Sequence, residues 1–351
     1  MAEETKAVLP AVLKSLPGFG ADVSSIHDLA GLAPLDAKDC PGYTLPNGDE
    51  DAGKVGARIR VLDQDSFDAA IKLQPDYKAQ VHLSNLSTTT TTGSSAGYPS
   101  TDSTEDEEMD LDGLPLDQPK AAAPSWDLSA QKPIPQQSKP QVSLTFTNSA
   151  AKPVAVLNLA SERHAGGGWQ NGAMAQEEAL CYRSSLYLSL HKTYYPLPSL
   201  SVIYSPSVLI IRSATSDGHT LYTQPASDLP VTSVISVAAL RHPTLTSDGK
   251  KFKNEAQRAE TKKKIRVSLR VAAKKGHTKL VLGALGCGVF SNPPTEVAVC
   301  FLEVFKEKEF QGGWWEDVVF AVMDNARSGE GGKDGSGNFG QFYQVLDGQV
   351  V

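Results

Sequence analysis

The chain has 351 residues, 40% of them hydrophobic, and a formal net charge of −7 at pH 7. That length suffices for one large domain with appendages or for two domains. The acidic balance excludes a surface built to hold a nucleic-acid backbone by bulk charge, so no direct nucleic-acid binding is expected.

Met1–Lys6 lacks the basic segment and apolar core of a signal peptide. No apolar run approaches the roughly 20 residues needed to cross a bilayer. The expectation is a soluble intracellular protein, cytoplasmic or nuclear, with no membrane partner. The cysteines Cys40, Cys181, Cys287 and Cys300 make no C-x-x-C pair. Reduced, mostly buried thiols are therefore expected rather than a disulfide framework or a zinc site, and no metal or cofactor is called for.

Residues 1–83 are mixed. Leu9–Lys14 and Asp22–Leu32 read as weakly helical, Ile59–Leu62 as a short strand, and Asp65–Leu73 as a capped helix with an apolar face. This part is expected to be an accessory segment packed on, or leading into, the main domain. Residues 84–140 change character: a threonine run, the acidic stretch Thr101–Asp112, then proline, serine and glutamine up to Pro140. Such a composition buries too little apolar surface to offset chain entropy, and it reads as a disordered insertion.

A regular alternation fills 141–351. Val142–Phe146 and Val154–Ala160 read as strands, the second nearly all apolar and so central. Gln176–Leu190 reads as a helix; Val208–Ile211 and Val231–Ala239 read as buried strands. Asn254–Lys275 is a basic amphipathic helix closed by Gly276. Its cations read as a solvated face, with contact to an anionic polymer as the lesser alternative. Lys279–Leu282 is a strand, Pro294 opens a helix with Val297, Phe301, Val304 and Phe305 on one face, and Val318–Val322 is a last strand. The Gly329–Gly337 tail reads as mobile before an ordered end at Phe339–Leu346. Strands alternating with helices imply an α/β layered domain.

Two glycine-rich loops leave the ends of apolar strands: Gly166-Gly167-Gly168, and Gly283–Phe290 with Gly286 and Gly288 inside it. In open α/β sheets ligands bind beyond those strand ends. Both loops are candidates to offer N–H groups to phosphate oxygens, although tight turns alone would also account for them. Neither fits a P-loop or a Rossmann fingerprint. Gln176-Glu177-Glu178 then opens a helix. Mutual repulsion favours a proton on one of two neighbouring carboxylates, while a helix start favours the ionised form. Ordinary first-turn acids would present the same spacing.

Val156–Ser161, Gly166–Trp169, Ala175–Glu178, Leu180-Cys181, Arg183–Tyr187, Tyr204–Pro206 and Leu282–Phe290 occur in this order. Together they resemble the microbial-type branch of the poly(ADP-ribose) glycohydrolases, well over about Gln141–Met323 and loosely over the first 80 or so residues. The resemblance implies a three-layer, macrodomain-like mixed sheet between helices, with an N-terminal helical extension and the disordered insertion over 84–140. It implies that Glu178 is the catalytic acid and then activates water, and that Glu177, the second catalytic residue, holds ribose hydroxyls and helps position the bond. Gln176 would support the loop and line the substrate site. Gly166, Gly167 and Gly168, with Gly286, Cys287, Gly288 and Val289, would hold diphosphate and ribose. Phe290 would pack on the ligand and fix the distal ribose, and Asn158 would contact ribose. Phe339 and several tyrosines compete for the adenine. The implied partners are ADP-ribose polymer and ADP-ribosylated proteins, and a monomer is expected. A hydrolase of mono-ADP-ribose adducts and a non-catalytic ADP-ribose reader remain as alternatives.

Overall fold

A computed structural model describes residues 1–91, 141–146 and 151–351, leaving aside the side chains of 87–91 and 141–146. Helix α1 (Ala2–Lys14) buries Ala2, Thr5 and Leu9. Strand β1 (Ser25–Asp28), followed by a 3-10 turn at Leu29–Gly31, replaces the helix expected across Asp22–Leu32. Its Ser25–Asp28 backbone pairs with Ser201–Tyr204, and that ladder overrides a weak local preference. Then come β2 (Ile59–Leu62) and α2 (Ser66–Leu73), whose cap Asp65 accepts from the Phe67 and Asp68 amides.

Helix α3 (Ala79–Asn85) runs into β3 (Leu86–Thr91), which pairs with β4 (Gln141–Phe146) in a separate two-stranded sheet. The expected insertion boundary at residue 84 thus falls inside α3, and 92–140, the rest of the expected insertion, lies outside the described residues. Strand β5 (Ala155–Ala160) follows. The single helix expected over Gln176–Leu190 is two, α4 (Gln176–Arg183) and α5 (Leu186–Ser189). Ser184 breaks it: its backbone is extended and bridges Ile210, while its Oγ donates to Leu180 O and accepts from Leu186 N. The remaining elements are β6 (Ser201–Leu209), β7 (Val231–Ala238), α6 (Glu255–Lys274), β8 (Lys279–Leu282), α7 (Pro294–Phe305), β9 (Asp317–Ala321) and α8 (Asn338–Leu346).

The main sheet has seven strands in the order β1-β6-β7-β5-β8-β9-β2, with β5 at its centre. Strands β7, β5, β8, β9 and β2 run parallel, while β6 is antiparallel to β7 and β1 to β6. Ala155 and Leu157 pack with residues of α6, α7 and α8 on one face. Val156 packs with residues of α2, α4 and α5 on the other. The result is the three-layer mixed α/β arrangement expected.

The N-terminal segment supplies both edge strands, β1 and β2, and so completes the sheet. It also braces α4. Thr5 Oγ1 donates to Tyr182 O at 2.7 Å. The buried Arg183 guanidinium pairs with Asp65 and, at 2.6 Å, with Asp68 of α2. The cations of α6 are largely zipped to acids of α7 and the turn after it: Arg258 and Lys262 to Glu303, Arg266 to Glu307, Arg270 to Glu309. That face is charge-paired, which removes the basis for the polymer-contact alternative. The tail expected to be mobile is pinned by Asp324, whose carboxylate accepts from the Ala326 amide (3.0 Å) and the Gly332 amide (2.7 Å).

Candidate active site

The site begins where the central ladder runs out. In a parallel sheet, alternate peptide groups of a strand face opposite neighbours. The even residues of β5 serve β7, as in Ser233 N to Val154 O. The odd residues face β8, which stays in register only with Ala155 and Val156. Beyond that point two side chains take the place of the departed strand. Gln176 Oε1 accepts from Leu159 N at 2.8 Å, and its Nε2 donates to Leu157 O at 2.8 Å and Ser66 Oγ at 3.0 Å. The next odd amide, Ser161 N, donates to Glu177 Oε2 at 2.7 Å. A glutamine suits the interior position because its amide both donates and accepts; a carboxyl oxygen suits the last N–H, which needs only an acceptor. Gln176, expected to line the substrate site, is instead engaged in holding the end of β5.

Glu177 is 3% exposed and Glu178 8%. Glu177 Oε1 also accepts from Asn158 Nδ2 at 3.3 Å, and Asn158 Nδ2 reaches Ser236 Oγ of β7 at 3.0 Å. Asn158 is fully buried beneath Glu177, so the expected ribose contact becomes a support for the acid. Burial pushes the Glu177 carboxyl up to about 8; the Ser161 and Asn158 donors oppose this, and the charge of Glu178 adds to it. Glu178 Oε1 accepts from Gly168 N at 2.9 Å. Its Oε2 is buried and has no hydrogen-bond partner among the described residues. Burial, then the two carboxylates, hold the Cys181 thiol well above its ordinary value, so it stays protonated.

The first glycine loop is folded against this pair. At Gly167 φ is +60°, and a Cβ there would stand 3.1 Å from Glu177 Oε2, 3.1 Å from Glu178 Cδ and closer still to Glu178 Oε1. Gly167 N donates to His164 O at 3.0 Å and Gly168 N to Glu178. Two of the three amides expected to face phosphate are therefore turned inward, one of them onto the Glu178 carboxylate. The second loop leaves β8 and is stitched to the end of β7: Asn292 Nδ2 donates to Leu240 O at 2.6 Å, and His242 N to Phe290 O at 3.0 Å. Strands β8 and β7 flank β5, so this loop crosses over the C-terminal end of β5, where the acid pair sits. Gly286 (φ +74°) lets it pass, since a Cβ would lie 2.5 Å from both Ala239 Cβ and Asn292 Nδ2. The amides of Gly288, Val289 and Phe290 have no protein acceptor among the described residues.

Residues 121–213, which include the first loop and the acid pair, match the family described as microbial-type PARG, catalytic domain. That segment is similar to the microbial-type PARG catalytic domain over these residues. None of the curated proteins matches the chain. Among solved structures, the poly(ADP-ribose) glycohydrolase of Thermomonospora curvata is similar at 22% identity, with 98% of this chain and 97% of that chain covered and a TM-score of 0.57. The same protein bound to the inhibitor ADP-HPD gives the same values. The poly(ADP-ribose) glycohydrolase of Deinococcus radiodurans in complex with ADP-ribose is similar at 23% identity, with 94% and 98% covered and a TM-score of 0.53. These two PARG structures share this fold.

The remaining expected residues lie on the second loop and on α8. Val289 is exposed at the tip of the second loop, and Phe290 is half-buried with the Arg241 guanidinium 5.1 Å from its ring centre. Cys287 is buried; its carbonyl accepts from Asn338 Nδ2 at 3.3 Å. Phe339, a candidate for the adenine, is packed into the core and is not available for stacking. Two residues escaped the sequence reading. Ser161 gives its N–H to Glu177, and its Oγ accepts from the Arg163 and His164 amides. Asn292 fastens the second loop. Both had a signal: Ser161 immediately follows a strand, and Asn292 stands two residues past a loop, already marked as ligand-facing. A cavity of about 270 Å³ lies between the end of α1 and Leu188 and includes none of these residues.

Proposed function

We propose that the chain hydrolyses the ribose–ribose O-glycosidic bonds of poly(ADP-ribose), releasing ADP-ribose, with Glu178 as general acid and base. One observation carries the assignment. Of the four oxygens of the acid pair, three are held by N–H donors, and Glu178 Oε2 alone has no partner among the described residues. It is the oxygen free to move a proton.

Glu178 Oε2 gives its proton to the leaving ribose oxygen as the C–O bond breaks through an oxocarbenium-like state. A water then adds to the anomeric carbon and returns a proton to the same carboxylate, so that one water is consumed per bond. Burial keeps a proton on Glu177 near neutrality, so Glu178 becomes a carboxylate beside an uncharged neighbour when it gives its proton up. The inward amide of Gly168 fixes Glu178, and pre-organisation of this kind lowers the cost of reaching the reacting geometry. The unengaged amides of Gly288, Val289 and Phe290 suit a diphosphate, whose binding energy is remote from the reacting bond. The substrate class is supported by the family match and by the ADP-ribose and ADP-HPD complexes of the two similar proteins.

The test is digestion of labelled polymer with product sizing, run beside Glu178→Gln. Wild type should release ADP-ribose. The variant should fall by roughly a thousand-fold or more, as for loss of a general acid, while still binding ADP-ribose by calorimetry. Equal turnover in both proteins removes Glu178 from the chemistry. Cleavage of mono-ADP-ribosyl adducts but not polymer, or binding without turnover, replaces the polymer reading with one of the two alternatives.

A further inference from the structure

Two Arg-His dipeptides leave the sheet side by side. Strands β5 and β7 are parallel neighbours with Ala160 opposite Ala238. Three residues beyond each of these stand Arg163-His164 and Arg241-His242, all four exposed. Arg163 is 65% and Arg241 45% exposed at the side chain. Both guanidinium groups turn to the same carboxylate oxygen, Glu162 Oε1, at 3.3 and 3.5 Å. One carboxylate cannot neutralise two cations, so this lip carries an excess positive charge on a chain of net charge −7. It does so while the basic helix α6 is largely paired with acids.

The lip is joined to the site. Glu162 follows Ser161, whose amide holds Glu177. Arg241 lies over the Phe290 ring, and the next residue, His242, donates its amide to Phe290 O. An anion held here therefore lies beside the second loop and the strand end that carries the acid pair. Arginine suits phosphate because its planar fork makes paired hydrogen bonds, and resting on an aromatic face preorganises it.

We propose that Arg163 and Arg241 form a second anion subsite, which reads the phosphates of the ADP-ribose unit adjoining the one in the crevice. This rests on the polymer-hydrolase reading. Glu162 holds the two arginines in the absence of polymer and yields them to phosphate on binding. The lip thereby distinguishes a polymer from a single ADP-ribose unit.

The experiment measures binding, so it does not depend on turnover. In a Glu178→Gln background, affinities for defined-length polymer and for ADP-ribose are compared across Arg163→Glu, Arg241→Glu, Glu162→Gln and, as a charge control on α6, Lys263→Glu. Each arginine reversal should weaken polymer binding roughly ten-fold at low salt and flatten its salt dependence. ADP-ribose affinity should move less than two-fold or so, a rim charge beyond the ligand's reach being worth little. Glu162→Gln should tighten polymer binding, and Lys263→Glu should leave it near the parent value. Unchanged polymer affinity in both arginine variants overturns the subsite, as does an equal loss for ADP-ribose, which would put the arginines in the first site. Absence of polymer hydrolysis in wild type, with the binding pattern intact, overturns the catalytic reading alone. A parent protein that binds no polymer overturns both.

Discussion

Gly167→Ala separates backbone strain from displacement of the acid. The position has φ +60°, and an alanine there is strained by about 1–2 kcal/mol. The new Cβ would also stand 3.1 Å from Glu177 Oε2 and closer to Glu178 Oε1, so the Glu178 carboxylate must move. Moving it breaks the 2.9 Å bond from Gly168 N, a bond to a carboxyl group worth roughly 1.5–3 kcal/mol when charged. Together these give an expected destabilisation of about 2.5–5 kcal/mol, reaching the lower end of ordinary domain stability. The expected loss in turnover is larger than that of a folded-fraction effect, on the order of a hundred-fold for a shift near 1 Å. Gly172→Ala is the matched control: φ is +84°, with no atom within 4 Å of the added Cβ. It should be strained by about the same 1–2 kcal/mol and keep its activity. Urea unfolding and polymer turnover, measured well inside the folded plateau, read both quantities. A Gly167→Ala enzyme with wild-type kcat refutes the reasoning, and so does a Gly172→Ala enzyme that loses as much.

Glu177→Gln should change the pH profile of stability. The Glu177 carboxyl binds its proton more tightly folded than unfolded, moving from 4.5 to about 8, so its contribution is full below pH 4.5 and is lost as pH rises through 8. Between pH 4.5 and 7 wild type should lose up to roughly 3 kcal/mol that the glutamine variant retains; a stability difference constant with pH counts against the burial argument. Arg183→Met should cost about 2–3 kcal/mol, because it strands Asp65 and Asp68 on a partly buried interface. A chemical-denaturation midpoint within error of wild type would show the network to be dispensable. Asn292→Ala strips a donor from the carbonyls of Leu240, Gly286 and Phe290. It should loosen the second loop, cost about 1–3 kcal/mol and raise KM more than it lowers kcat; a pure kcat effect would place Asn292 in the chemistry instead.

The sequence by itself determined the layered α/β class, the central strand, the two loops at strand ends and the acid pair. Each is a local pattern: an apolar run of strand length, glycines after it, carboxylates at a helix start. What it could not carry was the partner of each polar group. Gln176 and Glu177 read as ligand-facing because the sequence does not show that β8 leaves β5 after Val156, so that two side chains must complete its ladder. The glycine amides read as a phosphate cradle because nothing local shows that Gly168 N already meets Glu178. The break at Ser184, the strand at Ser25–Asp28 and the pairing of the α6 cations were likewise decided by neighbours distant along the chain. Spacing fixes which groups are available, but only the tertiary structure decides which of them are already satisfied. That left Glu178 Oε2 as the unclaimed oxygen of the pair.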